Sequence, residues 1–275
     1  MEPIDVLRAR HPELDFRDVR TIESGWDSLV LEVDGYIFRF PRRPEVVEWV
    51  EREIALLPEL APTLPVAVPL FEYLGDDVTY VGYRKLDGAP ATSGLRESTG
   101  IDLGRFLVAL HAFPVERARA LGVPFFDIGA WREWLEGFCA DLRARVLPLL
   151  EPGERLRAET LFSQVAGFDF VPSLVHADLG PGHVLCRDGR VVGVIDWSDA
   201  RIGDPALDLS WCLNGTPEVV SAAVAGAYGA DHGTRERSCF YHRLGPWHEV
   251  VYGIDTGQDG FVASGLEGVR LRLPG

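Results

Sequence analysis

The stretch LVHADLGPGHVLCRDGRVVGVIDWSDARIGDPALD, residues 174–208, decides how this chain is read. Asp178 follows His176 by two residues, His183 follows Asp178 by five, and Asp196 stands at the abrupt end of the apolar run Val191–Ile195. The runs SLVHAD, VLCRD and RVVGVID predict short strands in a compact hairpin arrangement around a Gly/Pro-rich loop. Asp178 then lies in the loop and Asp196 at a strand end, so the two carboxylates converge on one cleft. Two carboxylates beside a metal-competent imidazole suit a divalent cation and a hydroxyl that must lose a proton. Those are the parts that phosphoryl transfer needs.

The bulk properties narrow the class. A chain of 275 residues, 47% hydrophobic and 25% charged, can build one large domain or two lobes with real cores. A net charge of -15 argues against a nucleic-acid partner. It leaves two readings, solubility or a surface that draws in cations. The cysteines at 139, 186, 212 and 239 are scattered and form no Cys-x-x-Cys pair, which excludes a zinc site and a disulfide scaffold. The N-terminal MEPIDVLRARHPELDF carries charges throughout and no apolar signal core, and no run is long enough to span a membrane. The expectation is a cytoplasmic protein with no membrane partner.

Along the chain, residues 4–11 suggest a short leading helix. SLVLEVD and GYIFRFP predict a hairpin turning at Asp34-Gly35, and residues 44–60 carry apolar side chains at helical spacing. A Pro-rich connector (61–69) leads to a second hairpin over 69–86 that turns at Gly75-Asp76-Asp77. From Gly88 onward helices dominate, over 101–113 and 130–150, with a further helix starting at Thr216-Pro217-Glu218. The chain is therefore α+β, with a small β-rich N-terminal lobe (1–86) and a larger, mainly helical C-terminal lobe (87–275).

HADLGPGHVL…GVIDWSDARIGDPALDL resembles the aminoglycoside phosphotransferase family and its macrolide phosphotransferase relatives, which share the bilobal protein-kinase-like fold. The resemblance implies Asp178 as catalytic base, His176 as its supporter, and His183 and Asp196 as ligands for Mg²⁺. Asp204 and Asp208 look like the family's structural signature, with Asp208 bonding the catalytic loop from below. Kinase-type sites usually carry Asn five residues after the base; His183 narrows the resemblance to the antibiotic kinases that have His there. ESGWDSLVLEVDGYIFRFPRRPEVVEWVERE resembles the nucleotide-binding half of the same fold. Ser24, Gly25 and Ser28 would sit over the phosphates. Arg39 takes the place of the usual Lys and pairs with Glu53. GYRKLDGAP resembles the hinge, where the backbone of Arg84, Lys85 and Leu86 reads the base of ATP or GTP.

For the acceptor, VVYGIDTGQDGFVASGLEGVR resembles the closing helices of kinases that modify the 2″ hydroxyl of aminoglycosides. FPRRPEV and WSDARIGDPALD resemble macrolide kinases equally well. Acidic side chains bind polycationic sugars by charge-assisted hydrogen bonds. The candidates are Asp199, Glu218 and Glu249, with Asp255 and Asp259 behind them. The aromatics Trp131, Trp134, Trp211, Phe240, Tyr241, Trp247 and Tyr252 would line a pocket for a macrolide ring, Trp247 and Tyr252 foremost. The expectation is a monomeric antibiotic kinase with a nucleotide donor and a small-molecule acceptor, aminoglycoside ahead of macrolide. A metabolite kinase of the same fold and a nucleotide-binding pseudokinase are the alternatives. Arg39 and His183 favour the pseudokinase; the intact Asp178 and Asp196 oppose it.

Overall fold

The structure is a computed structural model that describes residues 2–22 and 27–275. Branched and aromatic residues build β2 (Ser28–Val33) and β3 (Tyr36–Pro41), which pair antiparallel up to Val33 opposite Tyr36. The two residues between them, Asp34 (φ 49°) and Gly35 (φ 84°), are both left-handed, as a tight hairpin turn requires. The Asp34 carboxylate also accepts the amides of Phe16, Arg17 and Asp18 at 2.6–3.1 Å. That anchors the chain between α1 (Pro3–Arg10) and β1 (Val19–Ile22). With β4 (Phe71–Leu74) and β5 (Val81–Arg84) these strands form one antiparallel sheet in the order β1-β2-β3-β5-β4. The second hairpin turns more broadly than Gly75–Asp77, through a 3-10 turn at Asp76–Val78.

α2 (Pro44–Leu60) bridges the two halves. Val46 and Val50 pack with Val81 beside the sheet. One turn and more further on, Leu56, Leu57 and Leu60 enter a core shared with Phe106, Leu107 and Trp197 from beyond residue 87. The connector continues this link: Ala67 bonds both Val192 and Val194 through its backbone.

The remainder comprises β6 (Ala89–Pro90), α3 (Glu97–His111), α4 (Val115–Ala120), α5 (Ile128–Arg145) and α6 (Pro152–Phe162). Next come β7 (Ser173–Val175), β8 (Val184–Arg187), β9 (Arg190–Val194) and β10 (Arg201–Gly203). The chain ends in α7 (Leu209–Asn214), α8 (Glu218–Tyr228), α9 (His232–Thr256) and α10 (Asp259–Arg272). β8 and β9 form the expected hairpin, extended by β6, whereas β7 pairs with β10 instead of β8. The reason lies at the end of β7. The amides of His176 and Ala177 go to the Asp208 carboxylate at 2.8 Å each, so the chain leaves the ladder there. A second core, with Trp131, Phe240 and Trp247, lies among α5, α6, α9 and α10. Among the described residues no helix is long and apolar enough to cross a membrane.

Candidate active site

Asp178 sits just past the β7 end, and the loop that carries it is fixed from beneath. Ala177 is held at φ 69°, a left-handed conformation that costs a side-chain-bearing residue energy and persists only when its surroundings impose it. The fully buried Asp208 supplies that constraint through its two amide bonds, as the resemblance implied. Its Oδ2 also meets His111 Nε2 at 3.2 Å, and His111 Nδ1 meets the Tyr228 hydroxyl at 2.8 Å. The loop is thereby tied to α3 and α8, a link the sequence reading did not anticipate.

His176 is buried and joins the two halves of the site. Its Nδ1 accepts the Asp178 amide (3.3 Å), and its Nε2 donates to the Ile195 carbonyl (3.0 Å), next to Asp196. His183 closes the ring. Its Nδ1 lies 2.7 Å from the Asp178 carbonyl oxygen, which can only accept, so Nδ1 carries the proton. Nε2 is then the free nitrogen of the neutral ring, and it faces Asp196 Oδ2 at 3.6 Å. That separation is too long for a hydrogen bond and suits two ligands on either side of a cation.

Among the described residues no group of three or more His, Cys, Asp or Glu side chains is poised to hold a metal ion. A pair of protein ligands fits Mg²⁺, which commonly takes one or two carboxylates and completes its shell with phosphate and water.

The electrostatics separate the two aspartates. Burial pushes the Asp196 carboxyl up, but Arg39, His183 and the Ser198 hydroxyl (3.0 Å) outweigh it and hold the group below its ordinary value. Asp196 is thus an anion throughout the neutral range. The cleft walls push Asp178 the other way, against His183 and His176, although its side chain remains open to solvent. A raised carboxylate is the better proton acceptor of the two.

Arg39 on β3 and Glu53 on α2 form a bidentate pair at 2.8 and 3.0 Å, with Glu53 only 1% exposed. Burial works against the Arg39 charge, yet the Glu53 carboxylate more than compensates and holds the guanidinium above its ordinary value. Ser28 is buried, and its hydroxyl has no partner among the described residues. Ser24 and Gly25 lie outside the described residues. At the hinge, the Lys85 amide bonds the Gly35 carbonyl (2.9 Å) and its ammonium bonds Glu32 at 2.7 and 2.8 Å, so Lys85 is engaged on the sheet side. Arg84 ends β5 opposite Tyr36, and Leu86 approaches Gly193 of β9.

A cleft of about 380 Å³ opens beside Asp178, lined by Trp134, Asp199, Arg201, Tyr241 and His248 among others. Of the acidic acceptor candidates the cleft contains Asp199 alone, and of the aromatic ones Trp134 and Tyr241. Trp247 is fully buried in the C-terminal core against Phe162, with its indole nitrogen unpartnered among the described residues. Glu249 bonds Ser264 of α10 (2.6 Å), Tyr252 packs edge-on against Phe261, and Glu218 lines a separate concavity with Arg235. For Trp247 and Glu249 the cause is helical phase. On α9 the positions 241, 244, 245 and 248 line the cleft, an i, i+3, i+4, i+7 stripe. Trp247 and Glu249 flank that stripe and face the core and α10. His248, between them, is the residue the sequence reading missed, and the stripe was the available signal. The same pairing with neighbours corrects Asp255, which forms an ion pair with Arg145. Asp27 was also passed over. It feels Asp196 and Asp199, and burial pushes its carboxyl up.

An antiparallel sheet joined to a larger helical lobe, with His183 gathered between Asp178 and Asp196, defines a protein-kinase-like phosphotransferase. The model of the phosphotransferase enzyme family (APH) matches residues 18–241, and the chain belongs to that family, whose acceptor is an alcohol group. Viomycin phosphotransferase of Streptomyces vinaceus is 30% identical over 210 residues, 71% of each chain. The structure resembles the GDP and kanamycin complex of APH(2″)-IIIa, at a TM-score of 0.86 and 25% identity, with 98% of this chain and 97% of that one covered. It also resembles macrolide 2′-phosphotransferase MphH from Brachybacterium faecium, at a TM-score of 0.81 and 26% identity over 98% of both chains.

Proposed function

We propose that the chain transfers the γ-phosphoryl group of ATP or GTP to a hydroxyl of an antibiotic bound in the cleft beside Asp178. The observation that carries the reading is the opposed tuning of the two aspartates. Asp196 is kept ionised under the influence of Arg39, while Asp178 is raised and open to the cleft. Asp178 accepts the acceptor proton and orients the hydroxyl. His183 Nε2 and Asp196 hold Mg²⁺, which when bound neutralises charge on the donor phosphates. Arg39, steadied by Glu53, binds those phosphates, and the buried Ser28 hydroxyl is available to them. His176 keeps Asp178 and Asp196 in step by bonding the backbone next to each. The complete set of acid, imidazole and guanidinium groups favours catalysis over a pseudokinase role.

Aminoglycoside and macrolide acceptors both follow from the relatives. The cleft favours the macrolide type, because of the acidic candidates for a polycationic sugar it contains Asp199 alone, while the candidate aromatics Trp134 and Tyr241 line it. What remains is one acceptor-side carboxylate, Asp199, beside the half-exposed Trp134 and His248. The test is a purified-protein phosphorylation panel over macrolides, viomycin and aminoglycosides with ATP or GTP and Mg²⁺. Transfer to at least one of them supports the reading; donor turnover without any phosphorylated acceptor counts against it.

A further inference from the structure

Arg201 opens β10, antiparallel to the end of β7, and this register delivers its side chain to the acceptor cleft beside Asp178. Its Nη2 bonds Asp199 Oδ1 at 2.7 Å and its Nε bonds the Asp199 carbonyl at 2.9 Å, so the guanidinium is locked onto one residue twice. Its Cζ stands 5.9 Å from the centre of the Trp134 ring, within cation–π range. Only 22% of the Arg201 side chain is exposed, against 50% for Asp199. The arginine is held between an acid and an indole, which fixes its position. Arg52 of α2 is close enough to feel both Asp199 and Arg201 from outside the cleft's lining. The remaining charged or titratable groups lining the cleft are Asp178, Tyr241 and His248. His248 stacks on Phe138 (4.2 Å between centroids, 11° between planes) and extends the aromatic wall of Trp134 outward.

We propose that Arg201 selects the acceptor: by occupying Asp199 and covering Trp134 it closes the cleft to polycations and admits molecules with few cationic groups and an apolar face. The inference rests on reading this cleft as the acceptor site. Its physical basis is charge. A free Asp199 beside Asp178 would present two carboxylates to an acceptor, whereas the Arg201 pair neutralises one of them and leaves Asp178 as the single uncompensated anion of the lining. A hydroxyl compound bearing one amine loses little from this arrangement, because Asp178 still faces it and Leu179, Leu207, Leu244 and His248 offer apolar contact. A compound bearing four or five ammonium groups meets Arg201 wherever it seeks a second anion.

The experiment measures binding, by calorimetry and by tryptophan fluorescence, of kanamycin and of a macrolide to the wild-type chain, Arg201→Ala and Arg201→Gln. Arg201→Gln keeps most of the bulk if the alanine variant folds poorly. Both substitutions are expected to tighten kanamycin about tenfold in low salt and to change macrolide binding less than threefold. The gain should vanish in Arg201→Ala/Asp199→Asn and shrink in 0.5 M salt, where screening falls to a few ångströms. Kanamycin binding that is equal in all forms, or immeasurable in both single variants, would overturn the proposal. Failure of the wild type to phosphorylate any acceptor would instead sink the phosphotransfer reading, and the binding comparison would stand on its own.

Discussion

At the scale of single residues, most of the chemistry rests on charges that are paired before any ligand arrives. Arg39→Ala removes the bidentate partner of the buried Glu53, and stranding such a carboxylate costs about 3–5 kcal/mol. We expect a marked fall in Tm together with a raised nucleotide KM, and substantial recovery of both in Arg39→Lys. An unchanged nucleotide KM in Arg39→Ala would remove Arg39 from the phosphate site. Asp34 gives a pH prediction of definite sign. Its three amide bonds, led by that of Asp18, hold its pKa below the ordinary carboxylate value, so its contribution is full above about pH 4. The contribution is lost as pH falls through the lowered folded value. Asp34→Asn, which tolerates the left-handed backbone, should lower Tm at pH 7 and converge on the wild type once pH falls below that lowered value; a constant offset at every pH would contradict this. The Arg39–Glu53 pair was legible through the family resemblance of its strand and helix, and so was the grouping of Asp178, His183 and Asp196, which lie side by side in the fold. Arg201 was not, since its meaning depends on Asp199 and Trp134, which only the fold brings to it.

At the scale of elements, helices and hairpins were legible where periodicity and turn chemistry agreed. The 44–60 helix matches α2, and the Asp34-Gly35 turn joins β2 to β3. The β7–β10 pairing was not legible, because it depends on Asp208 capturing two amides from 31 and 32 residues away. The acceptor face of α9 was misjudged by one residue on each side. A helix turns about 100° per residue, so adjacent positions face different neighbours. Packing also sets the outcome of a substitution between α3 and α8. A methyl on Gly104 would stand 2.6 Å from Ala227 Cβ and 3.0 Å from the Val224 carbonyl. Gly→Ala in a helix interior gains up to about 1 kcal/mol of propensity, but overpacking costs about 1–3 kcal/mol. Gly104→Ala should therefore destabilise the chain in denaturant titrations. A raised midpoint would mean that the α3–α8 contact yields easily.

At the scale of the whole molecule, the two lobes are not independent. Leu56, Leu57 and Leu60 of α2 share one core with Phe106, Leu107 and Trp197, and Ala67 ties the connector to β9. Heat should unfold the chain in one transition, and a nucleotide with Mg²⁺ should raise that transition as a unit, by mass action. Two resolved transitions in calorimetry would show that the sheet and the helical lobe unfold separately. The division near residue 87 marks a change in secondary structure more than a break in packing. The central claim is the proposal that Asp178, in the cleft of the helical lobe, acts on a hydroxyl while the β-rich lobe holds the nucleotide. It is tested most directly by comparing wild type and Asp178→Asn for phosphoryl transfer to the best acceptor of the panel, with nucleotide affinity measured on the same preparations. The account predicts that transfer falls at least on the order of 10²-fold while nucleotide affinity stays within a few-fold. Transfer near the wild-type rate in Asp178→Asn would contradict it.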